Sequence, residues 1–181
     1  NDRMPPLLVV TGPPGAGKST VARLVTDRFE PSALVEGDAF FAFVARGASE
    51  PWLPESADQN EVVIQAAAAA AGRYAAGGIT TVYDGVVGPW FLPTFAAASG
   101  LETLDYVVLL PPEDRCVEQV AGRTDHPFTD EGATRKMYRE FAQAAVDARH
   151  VVVPAHRPED VADQIVAAMA DGSLRHEVRA P

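Results

Sequence analysis

Residues 7 to 20 read LLVVTGPPGAGKST, an apolar run, a glycine-rich loop and the start of a helix. Leu7 to Val10 is an apolar run bounded by Pro6 and Gly12, as expected of a strand buried on both faces. Gly12-x-x-x-x-Gly17-Lys18-Ser19 then matches the phosphate-binding loop pattern in full. From Ser19 onward the period changes, and Val21, Leu24, Val25 and Phe29 fall on one helical face. Strand, glycine loop and helix together are the context that this motif requires.

The composition of the loop follows from its task. Glycines let the backbone turn back and bring successive N–H groups around a polyphosphate. Pro13 and Pro14 have no N–H, so the cradle is expected from Gly15, Ala16, Gly17, Lys18, Ser19 and Thr20, with Gly12 opening the turn. Those donors include the unpaired first-turn amides of the helix, where the dipole also favours anions. Lys18 would bridge the β- and γ-phosphates, and the Ser19 hydroxyl would hold Mg²⁺.

The 181 residues predict a single domain with one well-filled core. Fifteen Lys and Arg against 25 Asp and Glu give a net charge of −10, which repels nucleic acid and anionic membranes unless a basic patch intervenes. The basic clusters are pairs such as Arg135-Lys136, so neither partner is expected. The lone Cys116 excludes an internal disulfide and fits a reducing cytoplasm. No apolar run is long enough for a membrane span, and the start lacks the shape of a signal peptide.

Further along, Ala33 to Val35 predicts a short second strand, followed by Glu36-Gly37-Asp38 and a helix carrying Phe40, Phe41 and Val44. Residues 47 to 60 are expected to be a mobile loop, with Trp52 as its anchor or as a substrate wall. Ser56 and Gln59 have capping-box spacing before an alanine-rich helix that Gly77-Gly78 stop. Ile79 to Tyr83 is the next strand and ends in Asp84-Gly85. Gly88 to Ser99 should contain a short helix with Trp90, Phe91 and Phe95 on its bulky side. Leu104 to Leu110 is a fourth strand, broken by Pro111-Pro112, and Glu113 starts a helix with Arg115 and Arg123. Residues 122 to 134 suit a lid, and the amphipathic helix beyond it carries Arg139 among its polar residues. His150 to Val153, a helix opened by Pro158 and a loose tail over 173 to 181 complete the reading. Strands alternating with helices predict an α/β sheet, largely parallel and covered on both faces.

In this order of elements the chain resembles the P-loop kinases of the nucleoside-monophosphate-kinase-like group. It is similar there to small-molecule enzymes such as gluconate and shikimate kinases and chloramphenicol phosphotransferase. The resemblance spans about residues 7 to 169 and rests on the loop motif plus the spacing of elements. It implies a three-layer P-loop NTPase fold with a five-stranded parallel sheet of order 2-3-1-4-5. It also implies ATP and Mg²⁺ at the loop and a small hydroxyl-bearing acceptor across the cleft.

The resemblance carries over three positions one at a time. An Asp after the second strand faces the acceptor hydroxyl in these kinases, and Asp38 stands there; the same residue could instead cap the following helix. The acidic residue ending the third strand corresponds to Asp84, a candidate for Mg²⁺ or acceptor contact, or else a turn former. Val120-Ala121-Gly122-Arg123 resembles the segment that brings an arginine onto the phosphates at the root of the lid. Gln119 occupies the place of an adenine-stacking arginine, for which Arg115 and Arg157 are the possible substitutes. Phe41, Trp52, Asp84 and Trp90 are the candidate acceptor walls. His126 falls in the lid, as a phosphate contact or an exposed loop histidine, and His150, His156 and His176 show no metal-ligand spacing.

The leading expectation is thus transfer of the γ-phosphoryl group of ATP to a hydroxyl of a sugar-acid-like or antibiotic-like small molecule. The alternative is a regulatory ATPase with no acceptor. The Asn-Lys-x-Asp motif of a GTPase is absent, and Tyr83-Asp84-Gly85 departs from the adjacent Asp-Glu that ends the corresponding strand of motor ATPases.

Overall fold

The computed structural model describes residues 6–123, 130–154 and 157–179. Its centre is strand β1 (Leu7–Thr11), buried along its whole length. The apolar run predicted as a two-faced strand therefore serves two cores. Leu7 and Val9 point into one, and Leu8 and Val10 into the other. On the first side lie α3 (Ala57–Ala76) and α4 (Leu92–Ser99). On the second lie α1 (Lys18–Thr26) and α7 (Pro158–Asp171).

β2 (Ser32–Glu36), β3 (Thr80–Asp84), β4 (Thr103–Leu109) and β5 (Val151–Val152) complete a parallel order β2-β3-β1-β4-β5, as expected from the resemblance. Each strand is joined to the next through a helix, so the carboxyl ends of all five open onto one edge. β1 and β4, which lie side by side, diverge there to opposite neighbours, and this switch point is where α/β sheets bind ligands.

The alanine run is structural. Ala67, Ala68, Ala71 and Ala75 are buried on one face of α3, where small side chains let the helix lie close to the sheet and to α4.

Several expectations change. The segment after Gly172 is not a loose tail up to Glu177: β6 (Arg175–Glu177) pairs antiparallel with β4, and Leu174 is buried in the second core. The sheet thus has a sixth strand. Ser56 and Gln59 do not form a capping box. Instead the Gln59 side chain accepts from the Ser49 N–H and donates to its carbonyl, both at 2.9 Å. Ser56 Oγ donates to the Glu50 carbonyl at 2.7 Å, and Asn60 donates to that of Pro51 at 2.7 Å. Residues 49 to 51 are thereby tied onto the start of α3, so this part of the loop is held and not mobile. Side-chain amides that can donate and accept at once outcompeted the helix cap. Trp90 lies in the turn before α4 and not within it.

α2 (Gly37–Ala42) follows β2 directly. α5 (Glu113–Ala121) and α6 (Glu131–Gln143) flank the proposed lid. The lid's far end, residues 131 to 134, is the first turn of α6, capped by the Asp130 side chain accepting from Ala133 N–H at 2.8 Å. Residues 124–129 and 155–156, with His126 and His156, lie outside the described residues.

Candidate active site

The glycine loop joins β1 to α1 at the carboxyl edge of the sheet. Its inner half is packed: Gly12 to Ala16 are buried, while Gly17, Ser19 and Thr20 are exposed. Gly15 has φ 78°, and a Cβ there would collide with the Cys116 carbonyl of α5. Gly17 has φ 86° and caps α1, with open space where a side chain would stand. One glycine is therefore required by close packing and by φ, the other by φ alone on the side that faces solvent. A surface left bare of side chains, with helix amides directed at it, is what a polyphosphate needs.

The expected run of donors needs one change. Ala16 N–H closes a turn onto the Pro13 carbonyl at 3.2 Å, whereas Lys18, Ser19 and Thr20 supply first-turn amides of α1. The Lys18 ammonium donates to the carbonyls of Gly12 and Pro13, both at 3.0 Å, and so lies curled along the loop. Burial lowers its pKa; Asp84 and Asp38 oppose that shift, and Arg123 reinforces it. Lys18 on α1 thus lies within electrostatic reach of Asp84 on β3, Arg123 just beyond α5 and Asp38 on α2.

Asp84 is the buried member. Register explains its place, since β3 runs parallel beside β1 with Asp84 opposite Val10, one residue before the end of β1. Burial raises its pKa, while Lys18 and the nearby Ser19 hydroxyl pull it down, and Asp38 and Glu36 push it up. The turn after it is pinned at both groups of one residue. Val87 N–H donates to Thr11 Oγ1 at 2.8 Å, and the Tyr106 hydroxyl donates to the Val87 carbonyl at 2.7 Å. Neither Thr11 nor Tyr106 carries a sequence signal beyond strand propensity. Tyr83 was likewise legible only as a strand residue. Its ring packs on Phe95, and its hydroxyl lies close to Gly37 and Gly85, the chain neighbours of Asp38 and Asp84; burial raises its pKa, and Asp84 and Asp38 add to the rise.

A hydroxyl and a carboxylate near each other across the loop fit Mg²⁺, a hard cation that takes few protein ligands and keeps waters and phosphate oxygens. No group of three His, Cys, Asp or Glu able to hold a metal occurs among the described residues, so a protein-only cage is not what this site offers.

The remaining predicted residues divide. Trp90 stands half-exposed after the pinned turn, its ring packed against Phe141 of α6 at 5.1 Å. Phe41 is partly buried on α2, and Trp52 is partly buried in the tied loop. Arg115 donates to the Pro154 carbonyl at 3.0 Å, on the side of β5 away from Asp38. Arg157 is exposed and pairs with Asp160 at 3.6 Å. Arg139 pairs with Glu113 at 3.4 Å, which assigns it to the α5–α6 contact. His150 is buried with Nδ1 on the Tyr106 carbonyl at 2.8 Å, and His176 sits on β6, both apart from the loop.

No helix among the described residues is long and apolar enough to cross a membrane. No curated protein matches the chain in sequence. Solved structures do match in fold. A sugar kinase from Janibacter sp. HTCC2649 is 19% identical with a TM-score of 0.68, over 94% of this chain and 98% of that one. A gluconokinase from Sinorhizobium meliloti 1021 is 20% identical with a TM-score of 0.67, over 94% and 95%. The tunicamycin resistance protein of Deinococcus radiodurans is 20% identical with a TM-score of 0.62, over 91% and 95%. At these identities the likeness speaks for the fold, which is that of the P-loop small-molecule kinases. The sequence model of the AAA domain family matches residues 7–143, from the first residue of β1 to the last of α6, and the chain belongs to that family.

Proposed function

We propose that this protein is an ATP-dependent phosphotransferase that moves the γ-phosphoryl group to a hydroxyl of a small molecule. The observation that carries the reading is the complete glycine loop at the carboxyl end of β1, with Lys18 folded onto its carbonyls and Asp84 on the neighbouring strand opposite Val10. Cations for a phosphoryl group and carboxylates for a metal and a proton meet at the end of one glycine loop.

In this reading the first-turn amides of α1 hold the β- and γ-phosphates. Lys18 exchanges its loop carbonyls for phosphate oxygens, a substitution its three donors permit. Ser19 and Asp84 would hold Mg²⁺, which supplies charge neutralisation between the phosphates when bound. Asp38 is exposed on the acceptor side, orients the acceptor hydroxyl and takes its proton as the oxygen attacks the γ-phosphorus. The bond from that phosphorus to the β-phosphate oxygen breaks, ADP leaves with the electron pair, and Arg123 and Lys18 counter the charge on the transferring group. Arg115 and Arg157, flanking β5, are the base-side candidates. Phe41, Trp52 and Trp90 are proposed as acceptor walls. A reducing, cytoplasmic setting belongs to the same proposal, as does the absence of nucleic-acid and membrane partners.

Incubation with ATP, Mg²⁺ and a panel of hydroxyl compounds should yield a product heavier by about 80 mass units, the increment of a phosphoryl group. Asp38→Asn should keep ATP affinity and lower transfer by about tenfold or more, the lower range for loss of a general base. ATP hydrolysis with every panel member unchanged would favour the regulatory ATPase reading instead.

A further inference from the structure

β3 ends at Asp84, and the next four residues read Gly85-Val86-Val87-Gly88. Two glycines in four positions give this backbone unusual freedom, so its path has to be fixed by bonds. Gly85 N–H donates to the Val10 carbonyl at 3.3 Å, and Val87 N–H closes the turn onto the Gly85 carbonyl at 3.1 Å. The other anchors are the two hydroxyls on Val87. Thr11 Oγ1 accepts from its N–H at 2.8 Å, and the Tyr106 hydroxyl donates to its carbonyl at 2.7 Å. Thr11, Tyr106 and Val87 are each at most 1% exposed, so bulk water cannot stand in for either hydroxyl.

Strand formation and packing do not by themselves ask for these hydroxyls. Thr11 ends β1, and Tyr106 lies opposite Val9 in β4. Their neighbours along the same two strands in the first core, Leu7, Val9, Leu104 and Val108, are all apolar. Valine at position 11 and phenylalanine at position 106 would fill nearly the same volumes. The two strands instead bring an acceptor and a donor onto one residue, three positions after Asp84. Burial raises the Tyr106 pKa, which keeps the phenol protonated as a donor.

We propose that Thr11 and Tyr106 are positioning residues: by fixing the turn at 85 to 88 they fix how Asp84 presents its carboxylate to Mg²⁺. This rests on the phosphotransferase reading and its assignment of Asp84. The Asp84 α-carbon stands between two anchors, the ladder to Val10 and Glu36 on one side and the turn on the other. Freed from Thr11 and Tyr106, the turn can rotate about Gly85 and carry the carboxylate with it. Outer bonds that orient a metal ligand are worth about tenfold to a hundredfold in metal affinity or activity.

Tyr106→Phe and Thr11→Val each remove one hydroxyl at nearly constant volume, while Thr11→Ser keeps the accepting oxygen. Binding of a non-hydrolysable ATP analogue is measured by calorimetry with Mg²⁺ and again with chelator, transfer is measured with ATP, and urea unfolding shows that each variant is folded. In Tyr106→Phe and Thr11→Val the affinity gained from Mg²⁺ should be largely lost, with affinity in chelator near that of the parent and transfer lower by about tenfold. Thr11→Ser should restore the gain. In an Asp84→Asn background, adding Tyr106→Phe should change neither readout further, because a residue that acts through Asp84 has nothing left to act on. If Tyr106→Phe does not fold, Thr11→Val against Thr11→Ser decides alone. A full Mg²⁺ gain in the folded variants, an undiminished further loss in the Asp84→Asn background, or a parent protein that gains nothing from Mg²⁺ overturns the proposal. Loss of the gain in both variants, with no hydroxyl compound ever phosphorylated by the parent, would sustain the positioning role and defeat the phosphotransferase reading. Transfer by the parent with the gain intact in both variants would do the reverse.

Discussion

The Ser19 side chain lies close enough to the Asp84 carboxylate to draw its pKa down, bringing the first turn of α1 near the end of β3 across the glycine loop. Two residues 65 positions apart in the chain thus meet where the phosphates of a bound nucleotide would lie. If they share Mg²⁺, each single change should act on the metal requirement. Ser19→Ala and Asp84→Asn are expected to lower transfer by about tenfold to a hundredfold and to raise the Mg²⁺ concentration at half-maximal rate. Nucleotide affinity measured with chelator present should stay near that of the parent protein. Equal losses with and without Mg²⁺ would assign the pair to loop architecture alone.

Gly15 tests the packed half of the loop. Its φ of 78° and the Cys116 carbonyl against its α-carbon leave no room for a side chain. Gly15→Ala should destabilise the fold by about 1–3 kcal/mol, combining strain at positive φ with a forced shift of α5. Because the loop must move to accommodate the methyl group, nucleotide affinity should fall too. Gly78→Ala is the control: φ is 88° there but the surroundings are open, so it should cost less and leave nucleotide binding unchanged.

The legible part of this fold was the part written in local pattern. β1, the glycine loop and α1 announce themselves because a buried strand, φ-positive turns and a 3.6-residue period each demand particular residue types in sequence. The 2-3-1-4-5 order was legible by resemblance. What escaped reading depends on contacts distant in the chain. Ser56 and Gln59 have the right spacing for a cap, and only the position of Ser49 decides that they bind it instead. Arg175-His176-Glu177 has no strand pattern of its own, since β6 is fixed by the free lower edge of β4. At the candidate site, Asp38 and Asp84 were singled out by position in the chain. Tyr83 beside Gly37 and Gly85, and Thr11 and Tyr106 holding Val87, give no signal because buried strand residues look alike before the register is known.

Asp105 provides a pH test outside the site. It lies fully buried in β4 opposite Arg175 of β6, yet among the described residues neither carboxylate oxygen nor the Arg175 Nε finds a hydrogen-bond partner. Burial pushes its pKa up to about 7, against the pull of Arg175. An unfolded Asp titrates near 3.9, so between about pH 4 and pH 7 the folded state binds more protons than the unfolded one. Its contribution to stability is therefore greatest at low pH and is lost as pH rises through that window. Asp105→Asn removes the titration. Relative to the parent it should gain about 2–3 kcal/mol between pH 5 and pH 8, measured by urea unfolding at each pH. Taking the difference between the two proteins cancels His150, whose lowered pKa gives a slope of opposite sign in both.

Trp90 separates acceptor binding from ATP binding. Its ring is held between the Gly88 backbone and Phe141, so the turn after Asp84 and the end of α6 fix it jointly. Being about half exposed, it offers one face to a ligand while the other is packed. Trp90→Ala should raise the acceptor KM by about tenfold, the loss expected on removing one aromatic stacking partner, with the KM for ATP unchanged. The parent ring also serves as its own reporter. In a Trp52→Phe background the remaining Trp90 emission should shift on adding acceptor and stay constant on adding ATP alone. A change with ATP alone would put Trp90 on the nucleotide side of the cleft. Loss of affinity for both ligands would mean instead that the ring supports the Asp84 turn, because a wall that only touches the acceptor cannot weaken the phosphate cradle.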